Sequence, residues 1–170
     1  MVSIPAWTRG NLRISRSAMD VVERAGREAY QRDEEACGYI QGPADDELFA
    51  DTAVELENLA TKYHAADPEA HPRTGHDYFK IHALKFQRAI DAGREAGAPV
   101  KVFFHSHLDC GAYFSEEDAA SMTMGGQAEP QYDLAYLVTA VDQGEVTAHK
   151  LFVFDAQSQS FVESALTVEA

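Results

Sequence analysis

Cysteine is scarce. Cys37 and Cys110 are the only two in 170 residues, too few for a disulfide framework and suited to a reducing cytoplasm. Long apolar runs are missing as well. No stretch approaches the roughly 18 apolar residues of a membrane-spanning helix, and the first ten residues, Met-Val-Ser-Ile-Pro-Ala-Trp-Thr-Arg-Gly, hold no apolar core of signal-peptide length. A cytoplasmic protein with no membrane partner is the expectation. Positive charge is the third shortage: 14 Lys and Arg stand against 28 Asp and Glu, a net charge of −14, and no segment concentrates the cations. A phosphate backbone needs a positive patch, so nucleic acid is excluded as the expected partner. Such acidity either attracts a basic partner or simply keeps a protein soluble. Internal repeats and low-complexity tracts are absent too. Nothing marks a second domain, and one domain over residues 1–170 is long enough to bury about 70% of its unfolded surface.

What is present reads as alternating helices and strands. From Ser17, an apparent N-cap with Asp20 completing a box-like start, residues Ala18, Val21, Val22, Ala25 and Ala29 form a one-sided helical stripe. Residues 37–42 are short, β-prone and stopped by Gly42-Pro43; residues 48–57 continue as a second extended piece. Residues 61–77 show no usable periodicity and read as a long loop. Phe79, Ala83, Phe86, Ile90, Gly93 and Gly97 then give a second helix, closed by Gly97-Ala98-Pro99. A strand apolar on both faces follows from Val100, as at the centre of a sheet. Ser115 caps a third helix running to about Gly125-Gly126, and residues 134–141, 146–154 and 161–166 are three further strands, the first two joined by a turn at 142–145. The order α, β, β, α, β, α, β, β, β is that of an α/β domain with a mixed sheet between helices.

The chemistry lies directly after the Val100 strand: His105-Ser106-His107, seven residues, Ser115, two residues, Asp118. Residues two apart on a strand share a face, about 7 Å apart at the backbone, so the two imidazoles can converge on one ion. Asp118 offers a third ligand. Three N/O ligands leave one position for water, as in a catalytic rather than a structural zinc site. Average residue frequencies give this combination on the order of one chance match per several thousand chains of this length. Ser115-x-x-Asp118 alone is also an ordinary helix start. A hydrolase of this kind needs a carboxylate base near the metal, and Glu34, Glu35, Asp109, Glu116 and Glu117 are all available.

These residues, with Glu35-Ala36-Cys37-Gly38 far upstream, resemble the motif of the JAMM (MPN-domain) metalloproteases. The resemblance spans nearly the whole chain in element order. It implies a single MPN/JAMM-like, cytidine-deaminase-like domain: a mixed, curved β-sheet flanked by helices. It also implies cleavage of peptide or isopeptide bonds at the C-terminus of ubiquitin-like proteins. Under it His105, His107 and Asp118 bind one Zn2+, Glu35 is the general base, and Ser115 donates to the oxyanion. The run Asp33-Glu34-Glu35-Ala36-Cys37-Gly38 is similar to small bacterial members that process ubiquitin-like sulfur-carrier proteins, which makes such a protein, with an extended tail, the expected partner. The chain departs from many relatives at Leu108 and Phe114, where they carry proline. His64, His71 and His76 in the 61–77 loop read as surface histidines, and the loop itself as a cover over the substrate groove. Cys110 reads as a partly buried packing thiol, Cys37 as a core filler beside the base, and Gly125-Gly126 as internal rather than a ubiquitin-like tail. Two other readings stand beside this one: a non-catalytic MPN scaffold, against which the complete motif argues, and a site for a small amide or in a nucleic-acid pathway, the latter opposed by the acidic balance.

Overall fold

The computed structural model of the chain describes residues 3–123 and 129–170. After a 3-10 turn at Ala6–Arg9 the elements are β1 (Leu12–Ser15), α1 (Arg16–Gln31), β2 (Cys37–Gln41), β3 (Phe49–Ala50), β4 (Thr52–Leu56), α2 (Ala60–Ala66), α3 (Ala83–Glu95), β5 (Val100–Leu108), α4 (Glu116–Met122), β6 (Ala135–Asp142), β7 (Glu145–Asp155), β8 (Ser160–Ser164) and β9 (Leu166–Glu169). Six strands form a mixed sheet in the order β4-β2-β5-β6-β7-β8, and β3-β1-β9 form a small parallel one. Only β5 and β6 run parallel in the large sheet, from Val102↔Ala135 to Leu108↔Val141. This is the mixed α/β architecture read from the sequence.

β5 sits between β2 and β6, and all nine of its residues are buried. Its pleat divides the interior in two. Val102 and Phe104 face the core closed by Met19, Val22, Ala25 and Ala29 of α1. Phe103, on the other face, joins Phe79, Phe86 of α3, Tyr136 and Val138. His105 and His107 continue the Phe103 face, whereas Ser106 turns toward α1, where Gly26 leaves room for it.

Several boundaries differ from the sequence reading. Ser15, not Ser17, caps α1: its Oγ accepts from Ala18 N at 3.1 Å, while Asp20 pairs with Arg16 at 2.9 Å inside the helix. The cap belongs to β1, whose four residues are too few to show a period. The extended piece at 48–57 breaks at Asp51, β3 pairing with β1 and β4 with β2. Residues 61–77 are not all loop, since α2 occupies their start; seven residues of mostly polar helix formers leave no stripe to read. α3 begins at Ala83, so Phe79 lies in the extended approach to it. β8 and β9 split the expected last strand, β9 crossing to pair with β1. α4 ends at Met122; Gly125-Gly126 lies outside the described residues. The turn at 142–145 is a two-residue hairpin, with Gln143 at φ 50° and Gly144 at φ 83°, the left-handed pair that matches strand twist.

One buried cation organises the segment between β2 and β3. Lys101 is fully buried, and its Nζ donates to Pro43 O, Asp46 O and Phe49 O, each at 2.7 Å. Burial lowers its pKa from the ordinary lysine value. Lys101→Met keeps the length of the side chain but strands three carbonyls. At about 1–3 kcal/mol for each acceptor left unsatisfied, with partial relief by water, the variant should lose about 3 kcal/mol, measured by denaturant unfolding.

Candidate metal centre

The loop after β5 returns sharply. Asp109 adopts φ 56° and Gly111 φ 84°; nothing lies within 4 Å of a Cβ at Gly111, so only the backbone conformation asks for glycine there. Tyr30 Oη donates to the Asp109 carboxylate (2.8 Å to Oδ2), which also accepts from Gln143 N at 2.8 Å. Gly111 O faces His107 Nδ1 at 3.0 Å. That contact places the imidazole hydrogen on Nδ1 and turns the Nε2 lone pair inward.

Inward it meets two other donors. His105 Nε2 and His107 Nε2 are 3.1 Å apart, and Asp118 Oδ2 lies 3.0 Å from the first and 3.2 Å from the second. Tetrahedral ligands at metal bonds of 2.0–2.1 Å are separated by roughly 3.3 Å, so the triangle has the size of one face of such a polyhedron. Asp118 arrives on α4, where Ser115 and Asp118 form a capping box: Asp118 N donates to Ser115 Oγ at 3.0 Å, and Ser115 N donates to Asp118 Oδ2 at 2.9 Å. The helix-start reading and the ligand reading therefore describe the same two side chains. Burial opposes ionisation of Asp118, yet the imidazoles and the Ser115 amide together hold its carboxyl well below the usual range.

Glu35 completes the group. Ligand atoms of Glu35, His105, His107 and Asp118 all lie within 4.8 Å of one another, and all four residues are buried. Among the described residues Glu35 Oε1 is the buried side-chain oxygen or nitrogen without a hydrogen-bond partner. Burial, reinforced by the Asp118 carboxylate, pushes the Glu35 carboxyl up to about 9. An orphaned acceptor beside a second carboxylate and two imidazole lone pairs is the environment a divalent cation satisfies. Of the five carboxylates open to the sequence, Glu35 alone joins this group; Asp109 is engaged by Tyr30 and Gln143, and Glu117 pairs with Arg73 at 3.2 Å.

Residues 17–152 match the family model described as prokaryotic homologs of the JAB domain. The chain belongs to that family. Solved structures agree with this JAB-domain assignment at the level of fold. A protein from Desulfitobacterium hafniense, determined in solution, shares 18% identity and a TM-score of 0.66 over 93% of this chain and 92% of its own. A JAB1/MPN domain protein from Archaeoglobus fulgidus gives 17% and 0.52 over 94% and 100%. A protein from Salinibacter ruber gives 21% and 0.57 over 92% and 91%. No curated protein matches the chain.

The two departures from the JAMM pattern are packing residues. Leu108 carries the pairing of β5 with β6 one step past His107. The Phe114 ring centroid lies 4.3 Å from that of Phe161, 5.4 Å from that of Tyr136 and 6.2 Å from that of His105, the last pair edge-on. Among the other histidines, His76 is exposed and His64 and His71 are half-buried; none joins the cluster. Cys37 is buried, as expected, but Cys110 is exposed rather than partly buried, because the loop turns at Asp109 and carries it outward. No helix among the described residues is long and apolar enough to cross a membrane.

Three neighbours escaped the sequence reading. Ser106, between the two histidines, accepts from Ala36 N at 2.7 Å and donates its own backbone N–H to Ala36 O at 3.0 Å, stitching the Glu35 segment to β5. Phe79 lies 4.8 Å from the His105 ring. Asn58 bonds Glu35 O at 2.9 Å. A hydroxyl inside an otherwise apolar strand was a usable sign of the first; the others depend on contacts far apart in sequence. If the four-residue cluster binds a divalent cation, added zinc should raise the melting temperature, by the equivalent of about 4 kcal/mol at a thousandfold excess over Kd. His107→Ala should abolish that shift, as read by thermal unfolding with and without a chelator.

Proposed function

We propose that this chain is a zinc-dependent metallopeptidase that hydrolyses the peptide or isopeptide bond at the C-terminal tail of a ubiquitin-like or sulfur-carrier protein. The observation that carries the reading is the unpartnered Glu35 carboxylate facing three convergent ligand atoms. A purely structural metal site has no use for a second buried acid whose Oε1 is kept free of hydrogen bonds.

His105, His107 and Asp118 would hold the ion, the capping box fixing Asp118 and the Gly111 carbonyl fixing His107. Bound zinc supplies Lewis acidity toward the scissile carbonyl and brings the pKa of a water to about 7. Its positive charge also opposes the rise in the Glu35 pKa, since an opposite charge favours the ionised acid. Glu35 then takes the proton of the attacking water and returns it to the leaving amine. Ser115 Oγ accepts the Asp118 amide, which orients the hydroxyl while leaving its hydrogen to donate to the carbonyl oxygen as charge develops. Phe79 and Phe114, packed about His105, keep bulk water from one side of the site.

Two clefts flank these groups, one of about 460 Å³ lined by Phe114, Ser115 and Phe161, the other of about 510 Å³ lined by Glu34, Glu35 and Asn58. β4 ends at Leu56 in the second and has no strand on its outer side among the described residues. An extended tail laid along such an edge gains main-chain hydrogen bonds with little sequence demand. Within the loop at 61–77, Gly75 O accepts from Glu35 N at 2.6 Å and Arg73 pairs with Glu117, which supports reading that loop as a cover over the groove. A nucleic-acid reading finds no support in a chain of net charge −14.

The deciding experiment is mass spectrometry of ubiquitin-like proteins bearing C-terminal extensions, incubated with zinc-loaded wild type and Glu35→Gln. Cleavage by the wild type and almost none by the zinc-retaining variant is expected; normal turnover by Glu35→Gln would remove Glu35 from its role, and zinc without any cleavage would favour a scaffold. Ser115→Ala should fold and keep zinc yet react two to three orders of magnitude more slowly, about 3–4 kcal/mol of barrier.

A further inference from the structure

Among the described residues no side chain hydrogen-bonds Oε1 of Glu35 to aim it. Oε1 is buried without a partner among the described residues, so its direction is set by the backbone that bears it. Both polar atoms of that backbone are held by one segment, residues 58–80: Glu35 N donates to Gly75 O at 2.6 Å, and Asn58 Nδ2 donates to Glu35 O at 2.9 Å. The Asn58 amide is saturated. Nδ2 also donates to Tyr78 O at 2.9 Å, and Oδ1 accepts from Ala60 N and Lys80 N, each at 3.0 Å. Four bonds from one planar group leave it no freedom to rotate. They tie the Glu35 peptide to both ends of the segment, whose far end carries Phe79 against the His105 ring at 4.8 Å.

Gly75 is the second anchor. It donates to Thr61 Oγ1 at 3.0 Å, and a Cβ there would sit 2.9 Å from Glu34 Cγ and 3.2 Å from Asn58 Nδ2, so the two anchors are packed on each other. Ser106 fixes the next peptide, at Ala36, from the other side.

We propose that Asn58 is a positioning residue for hydrolysis, its side-chain amide fixing the backbone from which the Glu35 carboxylate reaches the paired imidazoles, with Gly75 as its partner. The inference rests on the hydrolase reading above for the role of Glu35. Asn58 touches no reacting atom; it acts through Glu35. Asn58→Asp keeps the shape but sets oxygens against Glu35 O and Tyr78 O, and Asn58→Ala removes all four bonds.

The test uses the full zinc-loaded chain as wild type, Asn58→Ala, Asn58→Asp, Glu35→Gln and the double variant Glu35→Gln/Asn58→Ala. Zinc per chain is measured by elemental analysis, kcat and KM on whichever tail-extended ubiquitin-like protein the wild type cleaves, and the Glu35 position by crystallography of zinc-loaded Asn58→Ala. Asn58→Ala should retain zinc and a KM within about twofold while kcat falls about 10- to 100-fold, since a displacement of about 1 Å can cost about 100-fold. Added to Glu35→Gln it should cost nothing further, because both changes act on one group. An unchanged kcat, an equal extra loss in the Glu35→Gln background, or a Glu35 carboxylate that has not moved would overturn the proposal. Should Asn58→Ala fail to fold, Asn58→Ser carries the same comparison. If the wild type binds zinc but cleaves no tail, the hydrolase reading fails on its own, and the crystallographic position of Glu35 decides the inference about Asn58.

Discussion

Two carboxylates and two imidazoles share one buried point, and the remaining architecture is arranged to make that tolerable. Glu35 is 4% exposed, Asp118 4%, His105 1% and His107 2%. An unpaired charge at such depth is costly, and two acids side by side are costlier. The fold meets the cost in parts. The Asp118 carboxylate accepts from the Ser115 amide at its own helix start, whereas the Glu35 carboxyl is left raised and its Oε1 partnerless among the described residues. The two neighbouring acids are therefore unlike: one is held ionised, the other is held toward its protonated form.

The central strand performs the geometric work. All nine residues of β5 are buried although it carries His105-Ser106-His107 just before its last residue, so one face presents the imidazoles and the other a structural contact. Period two achieves this without a bend: Phe103, His105 and His107 line the site, and Ser106 reaches back to the peptide after Glu35. The position between the histidines is thereby fixed to a short hydrogen-bonding side chain. Glu35 lies two residues before β2, which pairs with β5 at Cys37↔His105, so the distance between Glu35 and the imidazoles depends on sheet register. A slip of one residue would send both histidines into the α1 core.

Much of this was legible in the sequence, for identifiable reasons. The four clustered residues lie in segments whose local pattern is strong: an apolar run into His-x-His, a Ser-x-x-Asp helix start, a glycine-stopped strand after Glu35. Short-range regularity also predicted the mixed sheet and most of its strands. The errors fell where elements were too short to have a period or where partners are remote. β1 and β9 have four residues each and pair across the ends of the chain, and α2 has seven. Asn58 is 23 residues from Glu35, and nothing at its own position announces a polar hub. Cys110 was misjudged because its exposure depends on the left-handed turn at Asp109, a conformation that Asp does not declare.

The JAMM resemblance leads one to expect proline at 108 and 114, where this chain has Leu108 and Phe114. A proline at 108 would end the strand just after the second histidine; Leu108 instead continues the ladder to Val141, and the chain turns only at Asp109, where Tyr30 and the Gln143 amide hold the carboxylate. A proline at 114 would stiffen the approach to the capping serine; Phe114 reaches the same end by packing among Tyr136, Phe152 and Phe161. Around both residues, ladder pairing, hydrogen bonding and aromatic packing hold the backbone. The capping box and the triangle of ligand atoms still form, so the loop between His107 and Ser115 has to deliver two fixed ends and not one fixed path.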